Sequence, residues 1–375
     1  MKHWIDAEAM CIESNIIWTS ALQYNALCNL NIETKENHFI ALFPNEDLYE
    51  WRLHCKAIKV DNEIYFIPDR SKHLHVYNVQ SNSIDSYSMN AEEGARFSNG
   101  IKYKDAIYII QRLPKISFHK VNLVTKEIME ISLQWDNITA SVAREVVQKD
   151  QYIYMASTQQ NRIIRFDTVL ECIDMFEVAG RNEGFGTICF GGKYFWLTNR
   201  HEIVRWEEES GETESFTEFP EDYGMDIRNR AFEIQHVQGF SNADSENEYP
   251  FSYSVCLDGK IWLFACRVNM NIIFDCEDKI MKEFKLTGEE ETEETLFAHN
   301  RITHCHYLGG VSNGKLLFLS TVTHKLYVID EKQDLSQYEL HINIFKYKEI
   351  YDGQVDNLFI VENSNTDLKD LLCWI

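Results

Sequence analysis

Hydrophobic positions along the chain fall into short runs with the period of strands rather than helices. From Asp61 to Met89 the order is Asp-Asn-Glu-Ile-Tyr-Phe-Ile-Pro, a polar link, His-Leu-His-Val-Tyr-Asn-Val, a second polar link, and Ile-Asp-Ser-Tyr-Ser-Met. Three β-branched and aromatic runs bounded by turn formers predict an antiparallel meander. The same order recurs along the chain. Aligned on the first run, seven units end it at Trp18, Tyr65, Tyr108, Tyr154, Trp196, Trp262 and Leu317. A second column, Asn31, Asn78, Asn122, Asp167, Asp275 and Asp330, follows 13 residues later, or 14 in the third unit. Only the fifth unit lacks it, where Ile203-Val-Arg-Trp206 runs into Glu207.

Both columns have a physical reading. An Asn or Asp at a strand end closes the next turn with its own side chain, and an aromatic offers a broad surface for packing sheet on sheet. A short strand precedes each first column, as in Lys56-Ala-Ile-Lys-Val60, and a last one follows each second column, as in Ile173-Asp-Met-Phe-Glu-Val178. Each unit is therefore expected to be a four-stranded antiparallel meander.

First-column spacings are 47, 43, 46, 42, 66 and 55 residues, and four-stranded units of about 40 to 50 residues are the mark of a β-propeller. The chain resembles the β-propeller superfamily in the broad kelch-like and WD-repeat sense, and more closely bacterial propeller proteins with repeated Ile-Tyr-Phe and Val-Tyr-Asn runs. It has neither a Gly-Gly pair at kelch spacing nor a Gly-His and Trp-Asp dipeptide in each unit. Ligand-binding habits of those subfamilies are therefore not carried over. The expected fold is all-β, a seven-bladed propeller over residues 1–343 with blades at about 1–46, 47–93, 94–137, 138–183, 184–224, 225–291 and 292–343. Residues 1–14 are expected to supply the innermost strand of blade one, and 344–375 ring-closing strands and a short helix capped by Thr366. The acidic, polar stretch within Pro220–Pro250 reads as a loop insertion.

Composition narrows the partners. With 375 residues, 45% of them hydrophobic, the chain can bury a large core. A formal charge of −23, from 59 acidic and 36 basic residues, opposes a phosphate backbone, so nucleic acid is not an expected partner. No run approaches the roughly 18 apolar residues of a membrane span, and Met1–Glu8 lacks a secretory h-region, so a cytoplasmic protein without membrane association is expected. Ten cysteines, scattered and without a CxxC pair, read as packed thiols.

Candidate chemistry is sparse. Arg52 and His54, Arg96, Arg144 and Glu145, Arg181 and Glu183, and Arg301, His304 and His306 fall just upstream of, or at the start of, inner strands. Propeller folds use such positions to line a channel mouth, which implies an anionic carboxylate or phosphate ligand held by Arg52, His54, Arg96, Arg144 and Arg301. The competing reading pairs each Arg with a carboxylate of a neighbouring blade, fixing the fold. His304-Cys-His306 and His73-Leu-His75 each put two imidazoles on one side of a strand, a spacing that holds a metal only if a third ligand arrives from elsewhere. As they stand they read as structural pairs, and neither a metal nor a cofactor is implied. No G-x-S-x-G elbow, phosphate-cradling Gly loop or H-E-x-x-H helix is present. The expected function is a non-catalytic scaffold binding a protein or peptide through one face. The alternative is a lyase or hydrolase acting on an anionic sugar or peptide-like substrate, with His304, His306 or Glu145 in acid–base roles.

Overall fold

A computed structural model describes residues 2–22, 24–48, 50–131, 133, 142–224, 249–266, 268–286, 307–320 and 323–343. These residues form strands and turns, and no helix among them is long and apolar enough to cross a membrane. After a short strand β1 (Lys2–Trp4), blade 1 contains β2 (Ala7–Glu13), β3 (Ile16–Ala21), β4 (Leu27–Asn31) and β5 (Asn37–Ala41). Blade 2 contains β6 (His54–Val60), β7 (Glu63–Pro68), β8 (His73–Asn78) and β9 (Ser83–Ser88). Blade 3 contains β10 (Arg96–Tyr103), β11 (Ala106–Leu113), β12 (Ser117–Asn122) and β13 (Ile128–Ile131). Blade 4 contains β14 (Val142–Lys149), β15 (Tyr152–Ser157), β16 (Arg162–Asp167) and β17 (Cys172–Glu177). Blade 5 contains β18 (Thr187–Gly191), β19 (Tyr194–Thr198), β20 (Ile203–Trp206) and β21 (Thr213–Phe216). Blade 6 contains β22 (Phe251–Leu257), β23 (Lys260–Ala265), β24 (Asn271–Asp275) and β25 (Ile280–Phe284). Blade 7 contains β26 (Tyr307–Ser312), β27 (Lys315–Ser320), β28 (Lys325–Ile329) and β29 (Leu335–Glu339), and β30 (His341–Asn343) follows.

Every blade is a consecutive four-stranded antiparallel sheet, and the fold is a seven-bladed β-propeller. The expected repeat is thus present in each unit. The chain's start is divided more finely than the sequence suggests: β2 alone is the first strand of blade 1, while β1 pairs antiparallel with β30 as a separate two-stranded sheet. Two compact units can be distinguished, one with blades 1, 2 and 7 and the chain up to Phe97, the other with blades 3 to 6 from Ser98.

Second strands explain the aromatic column. A strand buried on both faces sends alternate side chains to two different packing layers, so its sequence reads as an unbroken apolar run. In β15, Ile153 and Met155 pack with Tyr108, Ile110 and Phe118 of blade 3, whereas Tyr154 and Ala156 pack with Ile188, Phe195 and Trp206 of blade 5. In β3, Ile17 joins Leu317, Leu319 and Leu326 of blade 7, and Trp18 joins Leu53, Ile64 and Phe66 of blade 2. Burying one such large side chain contributes about 1.5–3 kcal/mol. Fourth strands face solvent instead, as in β9 and β17, where no residue is fully buried.

Third strands end in the second column, and the side chains act as expected. Asn31 Oδ1 accepts from the amides of Glu33 and Thr34, Asn78 Oδ1 from Gln80 and Ser81, and Asn122 Oδ1 from Val124 and Thr125. Asp167 and Asp275 do the same, while Asp330 Oδ1 accepts from Lys332 and, one residue later than in the others, from Asp334. The chain then passes through positive φ four residues on, at Lys35, Asn82, Lys126, Glu171 and Lys279, and three residues on, at Gln333. In blade 5 Glu207 is one methylene too long for this turn. Its carboxylate takes Ser210 Oγ instead, and a glycine, Gly211, fills the positive-φ position.

None of the eight described cysteines forms a disulfide, and burial pushes Cys11 and Cys28 up to about 12.

Candidate functional site

In a four-strand meander, the link entering a blade and the turn between its second and third strands lie at the same end, so their side chains can meet. Inner strands here are kinked at that end: registers shift between Ala7 and Met10 in β2, between His54 and Lys56 in β6, and between Val142 and Val146 in β14. A bulge re-aims the side chains it carries. Glu8, Arg144 and Glu145 occupy these bulges, and His54, paired with Pro68, stands at the edge of the one in β6.

Around blade 2 the result is a buried polar cluster. Arg52 Nη2 donates to Glu8 Oε2 at 2.8 Å, Arg52 Nε lies 3.1 Å from Asp69 Oδ2, and Arg96 Nε donates to Asp69 Oδ1 at 2.7 Å. Glu8 and Asp69 are buried, as is Arg52, so these pairs are little screened. Arg52 holds φ 56° because its amide donates to Leu22 O and its carbonyl accepts from Arg70. Trp51 lies against the guanidinium groups of both Arg52 and Arg70, 5.4 and 4.7 Å from ring centroid to Cζ. Burial, and then Arg96 nearby, pull Arg70 below its ordinary range, while burial raises Glu50.

A chain of histidines runs beside these pairs. Ser20 Oγ is 2.8 Å from His54 Nδ1, His54 Nε2 is 2.8 Å from His75 Nδ1, and His75 Nε2 is 2.9 Å from Pro44 O. Burial, with His75 as the next cause, lowers His54 well below the ordinary histidine value, and burial takes His75 down to about 4. Both rings are neutral at pH 7, and a carbonyl has no proton to give. Hence His75 carries its proton on Nε2, His54 donates from Nε2 to His75, and Ser20 donates to His54. At the end of this chain, Glu46 Oε1 lies 2.7 Å from His73 Nδ1, 2.7 Å from Ser71 Oγ and 3.9 Å from His75 Nε2.

The structure thus brings Arg52, His54 and Arg96 together, but in pairs closed on Glu8, Asp69, Ser20 and His75. Arg144 is buried, and its backbone carbonyl accepts from Asn99 Nδ2 at 2.9 Å. Glu145 is half-buried in the bulge of β14. Arg181, on the link entering blade 5, has its Nε 2.6 Å from Glu202 Oε1 of that blade, and Glu183 is half-buried on the same link. Arg301, His304 and His306 lie outside the described residues. Sequence reasoning missed Ser20, Glu46 and Asp69. Asp69 stands at the turn after β7, but nothing marks it among 59 acidic residues.

At the opposite end of the blades, where first and third turns lie, two adjacent blades differ from the rest. The second residue after the turn-closing position is Glu33, Gln80, Glu209, Glu277 or Lys332 in five blades, but Val124 in blade 3 and Val169 in blade 4. Val124 is 82% exposed, Val169 55% and Leu170 72%. The turn of blade 4 is anchored to blade 3, since Tyr108 Oη donates to Thr168 O at 2.9 Å and Lys120 Nζ lies 2.8 Å from Glu171 Oε1.

Comparison with known proteins shows the fold. A solved structure of streptogramin B lyase is similar with a TM-score of 0.57 and 11% identity, covering 90% of this chain and 96% of that one. A chain of the mitotic checkpoint complex gives 0.54 at 8% identity, over 90% of this chain and 89% of that one. U3-55K gives 0.52 at 11% identity, over 88% and 89%. All three likenesses are of fold alone. No family model matches the chain, and no curated protein matches it.

Proposed function

We propose that this chain is a non-catalytic scaffold that binds a protein partner through the exposed turns of blades 3 and 4. The observation that carries the reading is the pair Val124 and Val169, apolar where the other five blades are polar, with Leu170 beside the second. Met129 and Met175, on the outer strands β13 and β17 of the same blades, are also about half exposed. Exposed apolar side chains on two adjacent blades of an otherwise charged chain have the composition of an interface core rather than of general surface. A fold shared with a chain of the mitotic checkpoint complex is in keeping with this role.

The alternative of an enzyme acting on an anionic substrate draws its support from the fold shared with streptogramin B lyase. It needs guanidinium and imidazole groups turned toward substrate. Arg52, Arg96 and His54 are instead engaged in intramolecular pairs, and opening them would leave buried carboxylates uncompensated.

Affinity capture from the source cell's lysate tests the proposal, with the purified chain and the V124E/V169E/L170E variant as parallel baits. A protein retained by the first and lost by the second is the expected result. Identical retention by both, or turnover of a small molecule by the purified chain, overturns it.

A further inference from the structure

We propose that Glu46, His73 and His75 form a binding site for one divalent transition-metal ion. The three side chains offer one ligand atom each, all within 4.8 Å of one another. Metal–ligand bonds of about 2.0–2.2 Å at tetrahedral angles place ligand atoms roughly 3.3–3.6 Å apart. The measured separations of Glu46 Oε1, 2.7 Å to His73 Nδ1 and 3.9 Å to His75 Nε2, bracket that spacing. Small side-chain adjustments therefore suffice. Two imidazoles and a carboxylate select zinc, iron, cobalt or nickel over calcium or magnesium.

Glu46 is the ligand that the His73-Leu-His75 pair lacked in the sequence. It comes from the link between blades 1 and 2, while His73 and His75 project from one face of β8. An ion here would fasten that link to the blade it enters. His73 is partly exposed, which leaves a path for the ion.

Metal ligands are held by outer partners that set their orientation, and these partners are in place. Ser71 Oγ lies against Glu46 Oε1, and His54 lies against the far nitrogen of His75. Binding at His75 Nε2 displaces its proton and the bond to Pro44 O. The histidine chain can answer by reversing: His75 then donates from Nδ1 to His54 Nε2, and His54 donates from Nδ1 to Ser20 Oγ. Each ring keeps one proton, so both remain neutral, the form in which imidazole ligates. His73, bound through Nδ1, carries its proton on Nε2.

The test uses protein without a His tag, stripped with EDTA and titrated with Co²⁺ by visible absorption and with Zn²⁺ by calorimetry. Expected are one ion per chain, a visible d–d band, and affinity weakened by more than about tenfold in both H73A and E46Q. H38A, at an exposed histidine elsewhere, should bind as the wild type does. Thermal melts in EDTA check that the variants fold; E46Q keeps the carboxylate's shape and carries the test if H73A does not. Nitrogen-15 spectra of the imidazoles supply a second readout, with the His54 proton passing from Nε2 to Nδ1 on loading. Absence of stoichiometric binding, equal affinity in E46Q, or a His54 tautomer unmoved by the metal overturns the proposal.

Discussion

Arg96 is tied to Asp69 by an Nε to Oδ1 contact of 2.7 Å, and the other oxygen of that carboxylate faces Arg52. One buried acid therefore serves two guanidinium groups. Removing one partner of a buried pair costs about 3–5 kcal/mol, because the remaining charge stays desolvated. Asp69→Asn should lower stability by about 3 kcal/mol, read from the urea midpoint, and adding Arg96→Met should restore part of the loss. Additive losses in the double variant would show that the two residues are not coupled.

Acid should weaken the metal-free protein in two stages. His54, His75 and His119 are all buried, and their folded pKa values lie below the ordinary one, although Asp69 opposes the shift at His54. Between folded and unfolded values the unfolded chain binds more protons, so the stabilisation is complete above about pH 6.5 and is lost as pH falls through the folded values. For His75, brought to about 4, the loss is about 3 kcal/mol. Asp167 and Glu208, held low chiefly by hydrogen bonds against burial, add their losses only below the ordinary carboxylate range. Denaturation midpoints measured in EDTA from pH 7 to 3 should fall already above pH 4.5; a flat profile there would refute this account.

The repeated third turn allows an experiment with opposite signs. Lys35 sits at φ 59° and Gly211 at φ 73° in equivalent turns, and a Cβ at Gly211 would meet nothing within 4 Å. Left-handed φ costs an L-residue about 1–2 kcal/mol, part of which glycine's extra chain entropy returns. Lys35→Gly should stabilise by up to about 1 kcal/mol and Gly211→Ala should destabilise by a similar amount. Thermal melting distinguishes this from an effect of side-chain contacts, which would not reverse sign.

Close packing between blades 5 and 6 gives a compensating pair. A Cβ on Gly191 would stand 2.0 Å from Cys256 Sγ and 3.0 Å from its Cβ. Gly191→Ala should cost about 1–3 kcal/mol through overpacking. Cys256→Ala in the same chain removes the sulfur and should recover much of that cost, as judged by chemical denaturation. A double variant no more stable than Gly191→Ala alone would place the strain elsewhere.

The fold was legible because its two signals are local. Tyr154 and its counterparts announce strands buried on both faces, and Asn122 and its counterparts close the turn they begin. Where the signal failed, at Glu207, a second local device, Gly211, had replaced it. The site was half legible. Arg52, His54 and Arg96 stand out as basic groups in an acidic chain, but their partners are set by bulges in β2 and β6 and by the path of the link carrying Glu46. Neither bulges nor link paths have a periodicity to read. Ser20 reads as an ordinary residue at the end of an apolar strand, and only the third dimension places it at the head of a histidine chain.

The pairing of β1 with β30 has a mechanical corollary. Lys2 stands opposite Asn343 and Trp4 opposite His341, so the outward ends of the two segments lie at one end of a three-residue ladder. A force drawing those ends apart loads the rungs in sequence, like a zip, rather than all together. This clasp should therefore yield under far less tension than the blades it adjoins.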